Sequence, residues 1–315
     1  MRYIFSVDLG GTTVKMAFFS EDGKLQKKWE SPTDTREKGI HILLDISVSI
    51  RKFLAETGIP KEDVLGIGIG VPGPVDPDGN VNHCVNLGWE YFNIHKELSA
   101  LTGLPVKAGN DANVAALGEY YMGGGQGCHS MVLATLGTGV GGGIVVDGHI
   151  LHGFHGAGGE IGHLVLNRFE TEKCGCGKYG CAEQYCSATG VVRVATRFLA
   201  GNKMDSVLRK IPSFTCKDVF DAYSAGDPAA AEILDRVFQY MGEFLADVCC
   251  IVDPEVVVLG GGVSKAGQPL LDGVAKYFYQ YVFHAARDVR FKLATLGNDA
   301  GTYGALRMAL DEFGR

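Results

Sequence analysis

Residues 2–19 read RYIFSVDLGGTTVKMAFF, and this stretch predicts a strand, a tight glycine turn and a second strand. We expect the first strand over 2–8 and the second over 14–19. The same strand–turn–strand pattern returns at 130–146, which reads SMVLATLGTGVGGGIVV. The chain otherwise alternates β-rich and helical patterns, so we predict an α/β fold. Its two lobes are expected to share a duplicated strand–turn–strand unit.

The remaining elements follow from hydrophobic periodicity and from turn residues. Apolar spacing predicts a helix at about 37–57, and VLGIGIGV predicts a strand over 64–71. A further helix over 111–122 is expected to begin after Asn110, which is a good N-cap. A long helix is expected at about 229–250, after which the strand EVVVLGGG enters another glycine turn.

The lobe boundary is placed near the start of the helix that follows Asn110. Residues 1–110 are then a small N-terminal α/β lobe, and 111–300 are a large α/β lobe. The last helix, at about 301–315, is expected to pack back on the small lobe. A chain of 315 residues is long enough for two lobes with a cleft between them.

Composition and charge argue against several classes of partner. The chain has 29 Lys and Arg against 36 Asp and Glu, a net charge of −7, and no basic block. Nucleic acid and anionic membrane surfaces are therefore not expected as main partners. The N-terminal apolar run breaks at Asp8, which predicts no signal peptide, and no stretch approaches the ~18 apolar residues of a membrane span. Nine cysteines, an odd number, predict a reducing cytoplasmic location.

Three glycine turns follow predicted strands and favour phosphate binding. Glycines let backbone N–H groups point at phosphate oxygens, and threonine hydroxyls add donors. Asp8 is a candidate ligand for Mg²⁺, and Lys15 is a candidate to neutralise phosphate charge. Ordinary tight turns are the alternative, but an acid and a lysine in the first turn count against it. The turns are Asp8-Leu9-Gly10-Gly11-Thr12-Thr13-Val14-Lys15, Leu136-Gly137-Thr138-Gly139 and Leu259-Gly260-Gly261-Gly262.

A candidate metal site consists of His163 and the segment CGCGKYGC, which supplies Cys174, Cys176 and Cys181. The glycines between the cysteines allow the chain to fold around one ion. Three thiolates and one imidazole match a closed tetrahedral zinc site, and a closed site is typical of structural zinc. Because Cys-x-Cys spacing is less common than Cys-x-x-Cys, reduced cysteines in a glycine loop stay the alternative.

Several polar side chains in loops complement a sugar, whose hydroxyls each donate and accept hydrogen bonds. Taken singly, each of them would ordinarily be a solvated surface group. Asp111 lies at the positive end of a helix dipole, which favours its charged form and allows it to accept a hydroxyl proton. An ordinary first-turn helix acid is the alternative. The set is Asn86, Asn110, Asp111, Glu160, His163 and Glu183.

Seven motifs together resemble the ROK family of sugar kinases, and its bacterial glucokinases in particular. The resemblance runs from about residue 3 to 307. The zinc segment combined with the NDAN and GEIGH motifs is highly specific, whereas the glycine turns alone are not. The motifs are DLGGTTVK (8–15), GVPGPVD (70–76), NDANVAALGE (110–119), LGTGVGGGI (136–144), GEIGHL (159–164), CGCGKYGCAEQY (174–185) and VVVLGGGVS (256–264).

The resemblance implies an actin/hexokinase-like (ribonuclease H-like) fold that binds ATP and Mg²⁺ in an interlobe cleft. It implies Asp111 as the catalytic base, with Asn110 beside it on the sugar. His163 would bind zinc through one ring nitrogen and offer the other to a sugar hydroxyl. The positions implied as sugar contacts are Gly73, Asn86, Glu160, His163 and Glu183. The positions implied for the nucleotide are Gly10, Gly11, Thr12, Lys15, Thr138, Gly139, Gly261 and Gly262.

These features predict ATP-dependent phosphorylation of glucose at the 6-hydroxyl. A kinase for N-acetylmannosamine, mannose or fructose is the alternative within the class, and polyphosphate in place of ATP stays open. A non-catalytic sugar sensor is the alternative of another class, although Asp111 and the three turns are intact. The family also contains repressors with an N-terminal DNA-binding domain, and this chain is expected to lack one because it begins almost at once with the phosphate strand. Family resemblance implies a homodimer or homotetramer.

Overall fold

A computed structural model of the protein describes residues 1–314, so Arg315, the last residue of the expected C-terminal helix, lies outside the described residues. Contacts within the chain divide it into two compact units. The first unit comprises 1–127, 143–159 and the chain from Leu296 onward, and the second comprises 128–142 and 160–295.

Strands and helices alternate along the described residues. The strands are β1 Tyr3–Leu9, β2 Thr13–Ser20, β3 Leu25–Pro32, β4 Val64–Val71, β5 Asn80–Val81, β6 Phe92–Asn93, β7 Val106–Asn110, β8 Met131–Leu136, β9 Val140–Val146, β10 His149–Ile150, β11 Val256–Gly260 and β12 Arg290–Leu293. The α-helices are α1 Ile42–Thr57, α2 Ile94–Thr102, α3 Asp111–Met122, α4 Glu183–Cys186, α5 Ala188–Gly201, α6 Cys216–Ser224, α7 Pro228–Val252, α8 Gln268–Tyr281 and α9 Ala300–Phe313.

The sheet of the first unit has the strand order β3-β2-β1-β4-β7. β1 pairs antiparallel with β2 and parallel with β4, and β4 pairs parallel with β7. Because side chains alternate along a strand, Phe5 packs into the core with α1, whereas its neighbour Ile4 packs with residues of α9. Helices therefore cover both faces of this sheet.

The parallel strands of this sheet end at one edge, and the chain continues from each into a predicted site residue. β1 leads into the turn that begins at Gly10, β4 leads to Gly73, and β7 leads directly to Asp111. Ligands of open α/β sheets bind at this carboxyl edge. The topology of the first unit thus gathers residues that are up to a hundred positions apart in the sequence.

Helix α9 packs unusually closely against the first sheet and against α3. A Cβ atom built on Gly68 of β4 would lie 1.9 Å from the carbonyl oxygen of Ala305. One built on Gly304 would lie 1.6 Å from the carbonyl oxygen of Val114. Only glycine permits this backbone-to-backbone approach. The end of the described chain is thereby fixed as part of the first unit.

A second five-stranded sheet has the order β10-β9-β8-β11-β12. Its strand β11 is buried throughout and pairs parallel with β8 and with β12. Helix α7 packs against α5, α6 and α8. It begins with Asp227, whose side chain accepts the N–H of Ala230, and with Pro228 in its first turn.

The structure confirms the predicted α/β class, with two mixed five-stranded sheets. The helix predicted at about 37–57 is wrong at its start, because α1 begins at Ile42 and 36–39 form a separate 3-10 turn. Glu37 and Lys38 have φ values of 51° and 59°, a left-handed backbone that cannot continue a right-handed helix. The division into lobes 1–110 and 111–300 stays a prediction.

The described helices include none that is both long and apolar enough to cross a lipid bilayer.

Candidate active site

The strand pair β1–β2 places Asp8 opposite Lys15 in its antiparallel register. Lys15 Nζ lies 3.3 Å from Asp8 Oδ2 and donates a hydrogen bond of 3.1 Å to the carbonyl of Asn298. Both ionic side chains are partly exposed. A carboxylate and an ammonium group thus stand side by side next to the first glycine turn.

Backbone hydrogen bonds fix the shape of this first turn. The N–H of Gly10 donates to the carbonyl of Thr13 at 3.0 Å. Thr33, which follows β3, donates its hydroxyl to the carbonyl of Gly10 at 2.7 Å and its N–H to the carbonyl of Thr12 at 2.9 Å. Gly11 is exposed, as is Thr12. A rigid, exposed glycine turn of this kind can present backbone amides to an anion.

Asn110 and Asp111 form the junction between β7 and α3. The Oδ1 atom of Asn110 caps the helix, because it accepts the N–H groups of Ala112 at 3.0 Å and Asn113 at 3.1 Å. Its Nδ2 donates to the carbonyl of Gly73 and to Asp111 Oδ1, both at 3.1 Å. Asp111 Oδ1 also accepts the N–H of Ala112 at 2.8 Å. The Asp111 carboxylate is therefore held in a fixed orientation while it stays partly exposed.

Gly73 and Asn86 adjoin the other predicted residues of the first unit. Gly73 has a φ of 100°, and a Cβ built on it would lie 3.6 Å from the Cα of Cys84. Asn86 is exposed in the 3-10 turn Val85–Leu87. A Cβ on Gly11 would lie 4.0 Å from the Cβ of Asn86, so this loop touches the first glycine turn. The first unit accordingly brings together Asp8, Gly10, Gly11, Thr12, Lys15, Gly73, Asn86, Asn110 and Asp111.

In the second unit, Glu183 lies under the glycine turn that joins β8 to β9. Its Oε2 atom accepts the N–H of Val140 at 3.0 Å. A Cβ on Gly139 would lie 2.1 Å from the same oxygen, so the carboxylate occupies the space that a side chain would need. The turn itself is closed by a 3.0 Å bond from the N–H of Gly137 to the carbonyl of Gly139. A residue predicted as a sugar contact therefore also supports a turn predicted for the nucleotide.

The third glycine turn stacks on the second. Gly261 has a φ of 82°, and a Cβ on it would lie 2.6 Å from the carbonyl carbon of Leu136. Ser264 donates its hydroxyl to the carbonyl of Gly261 at 2.8 Å. Gly262 is exposed and faces open space. The second unit therefore brings Thr138, Gly139, Gly261 and Gly262 into two touching turns.

The four predicted metal ligands form one cluster. Their ligand atoms, from His163, Cys174, Cys176 and Cys181, all lie within 4.8 Å of one another. The Sγ atoms of Cys176 and Cys181 are 3.6 Å apart, and Cys174 Sγ is 3.8 Å from His163 Nδ1. A tetrahedral zinc ion with arms of about 2.3 Å needs sulfur atoms about 3.8 Å apart, so these side chains fit zinc.

Burial makes two of these thiols, those of Cys174 and Cys181, costly to ionise in the absence of a cation. It raises the pKa of Cys174, and together with hydrogen bonds from Cys176 and Cys174 it raises the pKa of Cys181 to about 12. A cation that replaces the protons offsets this cost, because thiolates are the metal-binding form. The donor chemistry of the cluster therefore suits a thiophilic metal ion.

The two ring nitrogens of His163 face different groups. Nδ1 is the nitrogen near Cys174 Sγ, and Nε2 lies 3.9 Å from Glu160 Oε2. Cys174 Sγ is also 3.5 Å from Glu183 Oε1. Glu160 is exposed, and His163 is partly exposed. The cysteine cluster thus adjoins the predicted sugar contacts of the second unit.

The buried carboxylate of Glu170 stabilises the loop that carries the cysteines. Arg197 of α5 binds Glu170 with two hydrogen bonds of 2.7 and 3.0 Å, and the hydroxyl of Tyr185 donates to Glu170 at 2.6 Å. The Arg197 contact keeps the pKa of Glu170 well below its usual range. Burial, followed by the contact with Glu170, raises the pKa of Tyr185 to about 12. This network anchors the loop through groups other than the cysteines.

The sequence did not predict several residues whose contacts with the site involve main-chain atoms. Asn298 contacts Lys15 through its carbonyl oxygen, which any residue type would provide. Gly301 lies against Asp8, and its spacing from Gly304 on one helix was an available signal of close packing. No pattern in the sequence marked Thr33, because its partner Gly10 is distant along the chain.

Comparisons with known proteins give a consistent result. The sequence profile described as the ROK family matches residues 4–312. The chain is 44% identical to the glucokinase of Halalkalibacterium halodurans over 308 residues, which cover 96% of this chain and 93% of that protein.

Solved structures resemble the whole described fold. A ROK hexokinase from Thermus thermophilus has a TM-score of 0.83 and 32% identity, with 98% of each chain covered. A ROK family glucokinase from Streptomyces griseus, solved with glucose and AMPPNP, has a TM-score of 0.75 and 30% identity, covering 98% of this chain and 99% of that one. These similarities confirm the predicted actin/hexokinase-like α/β class.

Proposed function

This chain belongs to the ROK family, and from that premise we propose that it is an ATP-dependent kinase that phosphorylates glucose at the 6-hydroxyl. The observation that carries the proposal is the 44% identity to a bacterial glucokinase over 96% of the chain. The similar structure solved with glucose and AMPPNP supports the same pair of substrates. The reaction moves the γ-phosphoryl group of ATP to the sugar oxygen and leaves ADP.

Asp111 is the proposed general base. Its carboxylate is oriented by the side-chain amide of Asn110 and by the N–H of Ala112, so it can accept the proton of the attacking hydroxyl. Asn110 is proposed to contact the sugar beside it. Because phosphoryl transfer has a loose transition state, positioning of the hydroxyl supplies much of the catalysis.

The proposed sugar contacts are mostly polar side chains. Carboxylates accept hydrogen bonds from sugar hydroxyls, and we assign His163 Nε2, the nitrogen that faces Glu160, to the sugar. A sugar that lacks one bonded hydroxyl would leave a protein group unpaired, which is how such a site discriminates. The contacts are Gly73, Asn86, Asn110, Glu160, His163 and Glu183.

The glycine turns are proposed to bind the nucleotide phosphates through backbone N–H groups. Asp8 fits Mg²⁺, because it is a single, partly exposed carboxylate and Mg²⁺ is usually held by one or two carboxylates plus substrate phosphates. When bound, the ion neutralises phosphate charge. Lys15 lies beside Asp8 and adds a positive charge of its own. The proposed nucleotide positions are Asp8, Gly10, Gly11, Thr12, Lys15, Thr138, Gly139, Gly261 and Gly262.

A structural zinc ion is proposed for the cysteine cluster. His163 Nδ1 and the thiolates of Cys174, Cys176 and Cys181 would fill a tetrahedral site, which leaves no position for a reacting water. The loop between His163 and Glu183 is held at both ends by this cluster. Zinc would thereby fix two of the proposed sugar contacts relative to each other.

A coupled assay of ADP release against a panel of hexoses tests the proposal. We expect kcat/KM for glucose to exceed the values for mannose, fructose and N-acetylmannosamine. A higher value for N-acetylmannosamine would make the protein a kinase for that sugar. Replacement of ATP by polyphosphate, with sugar phosphate as the measured product, tests the donor. Sugar binding without phosphate transfer from either donor would identify a sensor.

The proposed setting is the cytoplasm, where ATP is available and nine unpaired cysteines stay reduced. We also propose a homodimer or homotetramer, as the family resemblance implies. Light scattering coupled to size-exclusion chromatography would measure the assembly, against a monomer mass of 33.6 kDa.

A further inference from the structure

Two threonines outside the proposed nucleotide-binding set hold the glycine turns by the same kind of contact. Thr33 Oγ1 donates to the carbonyl of Gly10 at 2.7 Å, and Thr189 Oγ1 donates to the carbonyl of Thr138 at 2.7 Å. We propose that Thr33 and Thr189 are positioning residues that aim the amides of the two turns at the nucleotide phosphates. This inference rests on the proposed role of the turns as nucleotide sites.

The second turn is fixed by α5. Besides the bond from Thr189, the N–H of Ala188 donates to the carbonyl of Gly137 at 2.8 Å. Two successive carbonyls of the turn therefore face the first turn of α5. In a planar trans peptide the C=O and the N–H point in opposite directions, so the N–H groups of Thr138 and Gly139 point away from α5.

These two amides are suited to an anion. Within residues 1–314, neither N–H donates to an acceptor in the protein. Two adjacent backbone donors that point to the same side form a small anion-binding concavity. The carbonyls of the same two peptide groups, those of Gly137 and Thr138, are already hydrogen-bonded to α5. The two N–H groups would therefore be oriented before a phosphate arrives, which reduces the entropic cost of binding.

The far side of the second turn is anchored as well. Glu183 accepts the N–H of Val140, the residue after the turn, and lies 3.5 Å from the Sγ of Cys174. Ser187 caps α5 by accepting the N–H of Gly190 at 2.9 Å. The turn is thus clamped between the cysteine cluster and the start of α5.

The first turn repeats the arrangement in the other unit. The N–H of Thr33 also donates to the carbonyl of Thr12, so Thr33 alone makes two bonds to the turn. Since the carbonyl of Gly10 faces Thr33, the N–H of Gly11 points away from it. A threonine from outside the turn therefore orients a glycine amide in both units.

The experiment compares nucleotide and sugar affinity in matched variants. Thr189→Val and Thr33→Val keep the branched shape but remove the donor, and Thr189→Ser and Thr33→Ser restore it. Thr196→Val is the control, because the Thr196 hydroxyl donates to Val192 within α5, on an exposed part of the same helix as Thr189. The measurements are calorimetric Kd values for AMPPNP and for glucose, with KM and kcat from the coupled assay.

We expect each Thr→Val variant to weaken AMPPNP binding by roughly 3- to 10-fold, the effect of one hydrogen bond. Glucose binding should change less than twofold, and each serine variant should regain most of the nucleotide affinity. AMPPNP affinity equal to that of the wild-type protein in both valine variants would overturn the inference. So would an equal loss of glucose affinity, since that indicates a general loss of structure.

Failure of the proposed function is distinguishable from failure of this inference. If the wild-type protein binds no AMPPNP, both are overturned. If it binds AMPPNP and the valine variants bind equally well, only the inference fails. Because Thr189 is exposed, we expect Thr189→Val to fold, and Thr33→Ala provides a second variant should Thr33→Val not fold.

Discussion

The carboxylate of Asp8 lies directly against Gly301 in the first turn of α9. A Cβ atom on Gly301 would be 2.5 Å from Asp8 Cγ and 2.7 Å from both carboxylate oxygens. Helix α9 therefore leaves room for the proposed Mg²⁺ ligand only because residue 301 has no side chain. The contact joins two residues that lie at opposite ends of the sequence.

Gly301→Ala is expected to displace Asp8 without unfolding the protein. The clash involves the far end of one partly exposed side chain, which can rotate away. We expect KM for Mg–ATP to rise on the order of 10-fold, because small misplacements of a positioning group are costly. The thermal midpoint should change little. Titration of activity with Mg²⁺ measures the effect, with Gly201→Ala, which has open space around it, as the control. An unchanged Mg²⁺ dependence would contradict this role for Asp8.

Asp111→Asn is expected to lower kcat by about 10²–10⁴-fold, the usual contribution of a positioned general base. Asparagine keeps the shape and can still bond a hydroxyl, so the Kd for glucose should change much less. Steady-state kinetics and direct sugar binding measure the two effects. Retention of more than about a tenth of wild-type kcat, with chemistry rate-limiting, would show that Asp111 is an ordinary first-turn helix acid.

Glu160→Gln is expected to show the opposite pattern to Asp111→Asn. Glu160 is exposed and faces His163 Nε2, and its proposed role is to grip the sugar rather than to take the reacting proton. The Kd for glucose should therefore rise, with a smaller loss of kcat. A loss of kcat as large as that of Asp111→Asn would place the base at Glu160 instead.

The wild-type protein is expected to bind one zinc ion per chain, and Cys176→Ser is expected to lose that ion. Cys176 is the exposed cysteine of the four ligands, so the substitution leaves the packed interior intact. Without zinc the loop that leads to Glu183 should loosen and KM for glucose should rise. Elemental analysis and kinetics measure this, with Cys250→Ser, another exposed cysteine, as the control. Metal-free protein with unchanged sugar kinetics would exclude a structural role for zinc.

His95 is expected to make the stability of the first unit depend on pH. Its Nε2 accepts the N–H of Ala108 at 2.9 Å, so this nitrogen must be unprotonated. Burial, and then the charge of Lys107, lower the pKa of His95, although the nearby acids Glu312, Asp76 and Asp78 oppose the shift. The unfolded chain therefore takes up a proton first as the pH falls below about 6.5.

Stability from His95 is thus present above about pH 6.5 and is lost as the pH falls toward the lowered folded-state pKa. Urea unfolding at a series of pH values measures this loss. The free energy of unfolding of the wild-type protein should fall more steeply below pH ~6.5 than that of His95→Gln, which has no titrating ring. Parallel curves for the two proteins would contradict the prediction.

The zinc ligands illustrate what the sequence allows one to predict. Metal binding is one of the few roles that three cysteines and a histidine share, and the glycines between the cysteines allow the chain to fold around an ion. Residue types and spacing therefore sufficed to group Cys174, Cys176 and Cys181 with His163. Asn110 could be recognised as an N-cap for a similar reason, because its role depends on the residues immediately after it. Local chemistry of this kind is readable from composition and spacing.

Contacts between distant segments were not predictable in the same way. Thr33 and Thr189 act on turns that lie 23 and 51 residues away along the chain, and an ordinary threonine in a loop carries no mark of such a role. Strand β3 was missed because most of its residues are exposed, which removes the alternation that marks a half-buried strand. The start of α1 was misplaced because the backbone is left-handed at Glu37, a residue type that does not indicate such a turn as glycine would.

The position of helix α9 in the sequence also affects when the first sheet can finish folding during protein synthesis. The face of the first sheet that carries Ile4 and Phe19 is covered by Leu306 and Ala309. A ribosome releases the strands of that sheet long before it releases α9, so α9 cannot cover this apolar face while the second unit is translated. The first unit therefore reaches its native packing only after α9 has been made, and we expect a nascent chain stalled before Ala300 to be prone to aggregation.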